Sequence, residues 1–205
     1  KLLHAFLAIV ILAPAICFGK SAPTKFLGIE LGSKVTSAMR QDTVTEKYVG
    51  YIYVPNVDTF FDEFNEFNQF AVHASKVTRT ITNVGCGRLF ESEVKAVALE
   101  EKACLWIAKT YGVERETTSV GKNRKINAFL FEKGILKKET TGYFLVERNQ
   151  PMPGCYLVMI TLYNTKMETL QNSEAAQFKA QHKTSAAVAE FNLEKTAAEF
   201  NRTGQ

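Results

Sequence analysis

One helical stretch organises the reading of this sequence. Between Ser92 and Tyr111, Val94, Val97, Ala98, Cys104, Leu105, Ala108 and Tyr111 recur on one side of a helical wheel. Gly112 follows, where a helix closes through a left-handed residue. Short β-branched and aromatic runs flank the helix on both sides, separated by turn residues. The pattern predicts an α+β fold: an antiparallel sheet of six to seven strands, covered on one face by one long and one short helix. The total of 205 residues fits a single domain of that kind, placed at residues 24–165.

The strands are expected at Thr24–Leu31, Tyr48–Val54, Phe70–Ala74, Thr78–Val84, Ile126–Phe131, Tyr143–Glu147 and Cys155–Tyr163. Gly85-Cys86-Gly87 reads as the close of the second hairpin, and Lys34–Gln41 as the short helix, with Ser33 as its N-cap. A helix followed by three strands then occurs twice, which suggests a loose α-βββ repeat. Phe60, Phe64 and Phe67 have helical spacing; core packing is the favoured reading and an exposed aromatic loop the alternative. Glu101 falls inside the apolar stripe of the long helix. It marks either a buried acid with a partner or a wheel that is slightly rotated, and the second reading is preferred because unpaired buried carboxylates are costly. Residues 166–205 are rich in Ala, Glu, Gln and Lys and read as a polar tail, partly helical or disordered, with Ser185–Phe200 as its amphipathic part.

The first residues read as an address. Lys1 precedes an apolar run through Ala13, and small residues lead to Gly19. A basic start, a short apolar core and small residues at the end describe a secretory signal peptide, assigned to residues 1–19. The run is short of the about 20 residues that span a bilayer. Cleavage is expected after Gly19, with Ala15 as second choice. Ile16 before Cys17 is too large for a lipidation box, and an uncleaved membrane anchor or a buried helix are the alternatives. The expected location is therefore extracytoplasmic, periplasmic or secreted.

Lys and Arg outnumber Asp and Glu by only 25 to 21, and the two signs interleave. The densest basic stretch, around Lys122, Arg124 and Lys125, reads as solvated hairpin edges, so no nucleic-acid partner is expected. No phosphate-cradling glycine loop, nucleophile elbow or kinase motif is present, and no His/Cys cluster has metal spacing. No cofactor, metal or catalytic residue is assigned. His73 alternates with Val72 and is expected at a surface or rim. Cys86, Cys104 and Cys155 follow the leader. An oxidising compartment makes one disulfide plausible. Cys104 lies about 18 Å along the helix from Ser92, and Cys155 is expected near the helix's C-terminal end. This ranks Cys104–Cys155 first, Cys86–Cys104 second and a fully reduced protein third. Cys86 is then the free thiol, with Arg88 nearby to lower its pKa and His73 as its one available base.

Phe26-Leu27-Gly28-Ile29-Glu30-Leu31-Gly32-Ser33, followed by a short helix, resembles the opening of small exported bacterial proteins of the BamE (SmpA/OmlA) and β-lactamase-inhibitor-protein group. The resemblance covers about fifteen residues. It implies a non-enzymatic α+β fold that binds other proteins, and no functional residue carries across. The expected function is an exported, non-enzymatic binding or scaffold protein, its partner another protein of the envelope or outside the cell. A small thiol enzyme using Cys86, and an envelope protein held by its N-terminal helix, are the alternatives.

Overall fold

The structure, a computed structural model, describes residues 21–55, 65–120, 123–133 and 139–182. The expected signal peptide, most of the Phe60–Phe67 run and the Ser185–Phe200 helix lie outside these residues. The fold is α+β with antiparallel sheets. Strands β1 (Lys25–Phe26) and β2 (Ile29–Glu30) form a small hairpin. Strands β3 (Arg40–Val44), β4 (Val49–Ile52), β5 (Gln69–Ala74) and β6 (Ile81–Phe90) lead into helix α1 (Glu93–Tyr111). Strands β7 (Glu116–Val120), β8 (Arg124–Lys133), β9 (Glu139–Met152) and β10 (Cys155–Asn164) follow. A second helix, α2, runs over 165–182.

The large sheet has eight strands in the order β3-β4-β5-β6-β10-β9-β8-β7. Each half is a four-stranded meander followed by a helix, and β6 pairs with β10 at the centre. The observed succession is thus four strands and a helix, twice, rather than α-βββ. Expectation undercounted the strands because β3 (RQDTV) and β7 (ETTSV) are polar and exposed along their whole length. Edge strands such as these bury no face, so no apolar alternation betrays them. Backbone pairing with β4 and β8 makes them strands.

The short helix expected at Lys34–Gln41 does not form. Its backbone bonds sideways instead: Val35 N–H donates to the Arg79 carbonyl at 3.1 Å, and Ile81 N–H to the Ser33 carbonyl at 2.8 Å. Lys34 Nζ adds donations to the Thr78 carbonyl (2.7 Å) and Thr80 Oγ1 (2.9 Å). The expected strand Thr24–Leu31 is folded in two, with Leu27 (φ 52°) and Gly28 (φ 78°) forming the turn of the β1–β2 hairpin. Gly85-Cys86-Gly87 does not end a strand but lies inside β6.

Helix α1 ends as expected: Gly112 takes φ 60°, and its N–H donates to the Ala108 carbonyl. Its buried side is Ala96, Leu99, Glu100, Ala103, Cys104 and Ile107, at helical spacing. Val94 and Leu105, placed on the inner stripe by the wheel, are exposed at 79% and 68%. The wheel was rotated, as the Glu101 position suggested. Glu101 is part-exposed and bound by the two terminal guanidinium nitrogens of Arg115, at 2.6 and 2.9 Å. That hydrogen-bonded cation holds its carboxyl down at about 2. The fully buried acid is its neighbour Glu100, which sets the helix rotation through cations on β8 and β9.

Beneath α1 the core is built on Phe129, Phe131, Phe144, Val146, Ile160 and Leu162, all almost fully buried. The β1–β2 hairpin lies on this same side, since the Phe26 ring meets Phe144 edge-on at 5.1 Å. Helix α2 is tied to the β5–β6 turn by Glu174, which is only 4% exposed. Its carboxylate accepts from the N–H groups of Val77 and Thr78 (2.9 Å each) and from Thr78 Oγ1 at 2.6 Å. Burial works to raise the Glu174 pKa, but these donors outweigh it and hold the carboxyl below its ordinary range. Glu174→Gln is therefore expected to cost about 1–2 kcal/mol, since charge-assisted bonds become ordinary ones. Faster amide exchange at Val77 and Thr78, with the core amides unchanged, is the measurement. Among the described residues no helix is long and apolar enough to cross a membrane.

Candidate functional site

Strand alternation divides the sheet's side chains. On β10, Val158, Ile160 and Leu162 are buried on the α1 side, so Met159, Thr161 and Tyr163 stand on the opposite face. The register carries this face across the sheet in rows. One row reads Gly50, His73, Asn83, Tyr163, Tyr143 from β4 to β9. The next reads Ile52, Ala71, Gly85, Thr161, Leu145. A third begins Gln69, Gly87, Met159.

These rows, apart from Gly50, Tyr143 and Leu145, line a groove of about 980 Å³, within the range of small-molecule sites. Its floor is low because Ala71, Gly85 and Gly87 put little or nothing above the sheet. A Cβ on Gly85 would stand 2.8 Å from the Ile160 carbonyl oxygen, so β6 and β10 approach too closely there for any side chain. A Cβ on Gly87 would meet its nearest neighbours at 3.4 Å or more, so that position has room.

Three groups give the groove its chemistry. The His73 ring stacks on Tyr48, with centroids 3.7 Å apart and planes 13° from parallel. Gly50, its cross-strand neighbour, has no side chain to interfere. Burial lowers the His73 pKa to about 4, so the imidazole is neutral at physiological pH, with one donor and one acceptor nitrogen. Asn83 is 4% exposed, yet no described residue hydrogen-bonds its side-chain amide. Tyr163 stacks on Tyr143 at 4.8 Å, and the Tyr143 hydroxyl donates to Glu168 at 2.6 Å. Charged lining comes from the edge strand β3, as Arg40 and Asp42.

Of the sequence-derived cysteines, Cys86 borders the groove, while Cys104 and Cys155 lie outside it. Cys86 pairs across with Phe70 and Ile160, in the alternation of the α1 side, whereas His73 belongs to the opposite face. The two do not form a nucleophile–base pair. Burial also pushes the Cys86 thiol's pKa up, the reverse of activation. Cys86, Cys104 and Cys155 are all free thiols, so the expected Cys104–Cys155 bridge is absent. The reason is direction. Tyr156 pairs with Phe90, three residues before α1 begins, so Cys155 lies at the helix's N-terminal end rather than its C-terminal end. Cys104 is about 16 Å further along the axis, beyond disulfide reach.

His73 faces away from Val72 but is part-buried against Tyr48, in a groove that sequence reasoning did not assemble. A signal for it existed. Asn83, Gly85 and Gly87 follow one another at period two, which places an amide and two missing side chains on one face of one strand. No protein-family model matches the chain, and no match is found among curated proteins or solved structures.

Proposed function

We propose that the chain is an exported, non-enzymatic binding protein and that the groove is where it takes its ligand. The observation that carries this reading is Asn83: a largely buried side chain in the groove whose amide no described residue hydrogen-bonds. The Asn83 amide therefore offers a ligand entering the groove one free donor and one free acceptor. On this reading the helices cover one face of the sheet and the other serves recognition. The absence of a Cys86–His73 pair supports binding over thiol catalysis.

The envelope-protein partner expected from the sequence is the second reading. It is favoured by Leu89, 46% exposed beside half-buried Leu157 in the alternation of the groove face.

The test expresses the full chain, leader included, and analyses the protein recovered from the exported fraction by native mass spectrometry. Gly87→Met should fill the groove without disturbing the fold, since a Cβ has space there. A bound mass on the wild type that drops at least tenfold in occupancy in the variant supports the proposal. Equal occupancy in both, or no bound mass on either, sinks it. Retention of the chain in the cytosol with residues 1–19 intact would sink the export part.

A further inference from the structure

We infer that the groove is built for a planar, uncharged nitrogen heterocycle of the purine or pyrimidine base type, read edge-on by Asn83. The inference rests on the binding reading above and adds the ligand's class to it. Three features of the wall lead there.

The first is the amide. A carboxamide presents one donor and one acceptor side by side, and it pairs in two places with a ring edge that offers an acceptor beside a donor. Heterocyclic bases carry such edges; simple phenols, alkyl chains and fatty acids do not. Asn83 stands in register between His73 and Tyr163.

The second is the aromatic setting. Tyr48 stacks on His73 on one flank of Asn83, and Tyr163 stacks on Tyr143 on the other. Tyr48, His73 and Tyr163 line the groove together with the low floor at Gly85 and Gly87. Met159 contributes a polarisable thioether, which favours contact with a ring.

The third is charge. Arg40 and Asp42 are of opposite sign and sit on β3, at the sheet's edge. The inner residues, His73, Asn83, Thr161, Met159 and Tyr163, carry no formal charge in their ordinary neutral forms. Burying an ionised ligand against them would leave its charge unpaired, so the ligand enters neutral.

The experiment titrates adenine, hypoxanthine and uracil into the wild-type protein, with p-cresol as a ring that lacks the paired edge. Calorimetry reads affinity, and ¹⁵N spectra follow the Asn83 side-chain amide directly. At least one base is expected to bind at sub-millimolar concentration and to shift the Asn83 amide resonance. Asn83→Leu, of similar size but without donor or acceptor, should weaken that binding at least tenfold and leave p-cresol unaffected.

The ¹⁵N measurement needs no variant, so it stands even if Asn83→Leu folds poorly. The inference is overturned if none of the bases binds, if binding leaves the Asn83 amide unmoved, or if a folded Asn83→Leu protein binds the base as well as wild type. Failure of the bases while the exported protein still carries a mass displaced by Gly87→Met removes the ligand class alone. Failure of both removes the binding reading.

Discussion

Replacing Glu100 by Ala should destabilise the protein by about 3 kcal/mol at neutral pH, among the largest effects of any single charged residue here. Glu100 is fully buried under α1. Its carboxylate receives Lys125 Nζ at 2.9 Å, Asn127 Nδ2 at 2.8 Å and Arg148 Nε at 2.8 Å. Truncation leaves buried Asn127 short of an acceptor and two cations facing each other across the space. Lys125 and Arg148 keep 28% and 20% of their side-chain surface, so water recovers part of the loss. This places the estimate at the low end of the range for broken buried ion pairs.

The pH dependence of the Glu100 contribution has a definite sign. Burial acts to raise the Glu100 pKa, but the bonds from Lys125, Asn127 and Arg148 outweigh it and hold the carboxyl below its ordinary value. A depressed folded pKa adds stability that is present above the unfolded value, about 4.3, and lost as pH falls through the folded one. Glu100→Gln removes the charge but keeps the shape. Urea titrations should show a gap between wild type and Glu100→Gln at pH 7 that narrows at pH 3. A gap that stays constant with pH would mean that the carboxylate's charge is not what fastens α1 to the sheet.

Phe144→Ala is expected to cost about 4–5 kcal/mol, the upper part of the range for a buried aromatic. Its ring is fully buried where three elements meet. Phe26 of the β1–β2 hairpin lies 5.1 Å away, Tyr111 of α1 5.3 Å and Phe131 of β8 6.1 Å. The variant loses the ring's own burial and leaves a cavity whose rigid aromatic lining cannot close in. For a chain of this size the melting temperature should fall by roughly 10–15 °C. Leu105→Ala supplies the contrast. Leu105 is 68% exposed on α1, so its loss should stay within about 0.5 kcal/mol. Similar losses for the two variants would mean that α1 faces the sheet differently from the structure.

The difference between these residues shows where sequence reading stopped. The helical wheel ranked Leu105 as inward and could not see that Lys125 and Arg148, on later strands, would draw Glu100 beneath the helix. Hydrophobic periodicity scores one element at a time, whereas helix rotation was settled by an ion pair between residues 48 positions apart in the case of Arg148. The cysteines failed for a related reason. Which end of α1 lies near Cys155 depends on β6 and β10 pairing antiparallel at the centre of the sheet, and spacing along the chain does not encode that pairing.

Elements with strong internal signals were legible: the span of α1 with its Gly112 stop, the β-branched runs that became β4, β8 and β10, and the α+β class. Those signals are local, set by backbone conformational preference and by alternation of apolar side chains, so they survive in a single string of letters. The groove was not legible, although each of its parts was. Asn83, His73 and Tyr163 stand on three strands, and only the register of β5, β6 and β10 brings them into one row. That register follows from long-range backbone pairing and from the close approach that Gly85 permits, neither of which has a meaning until the sheet is assembled.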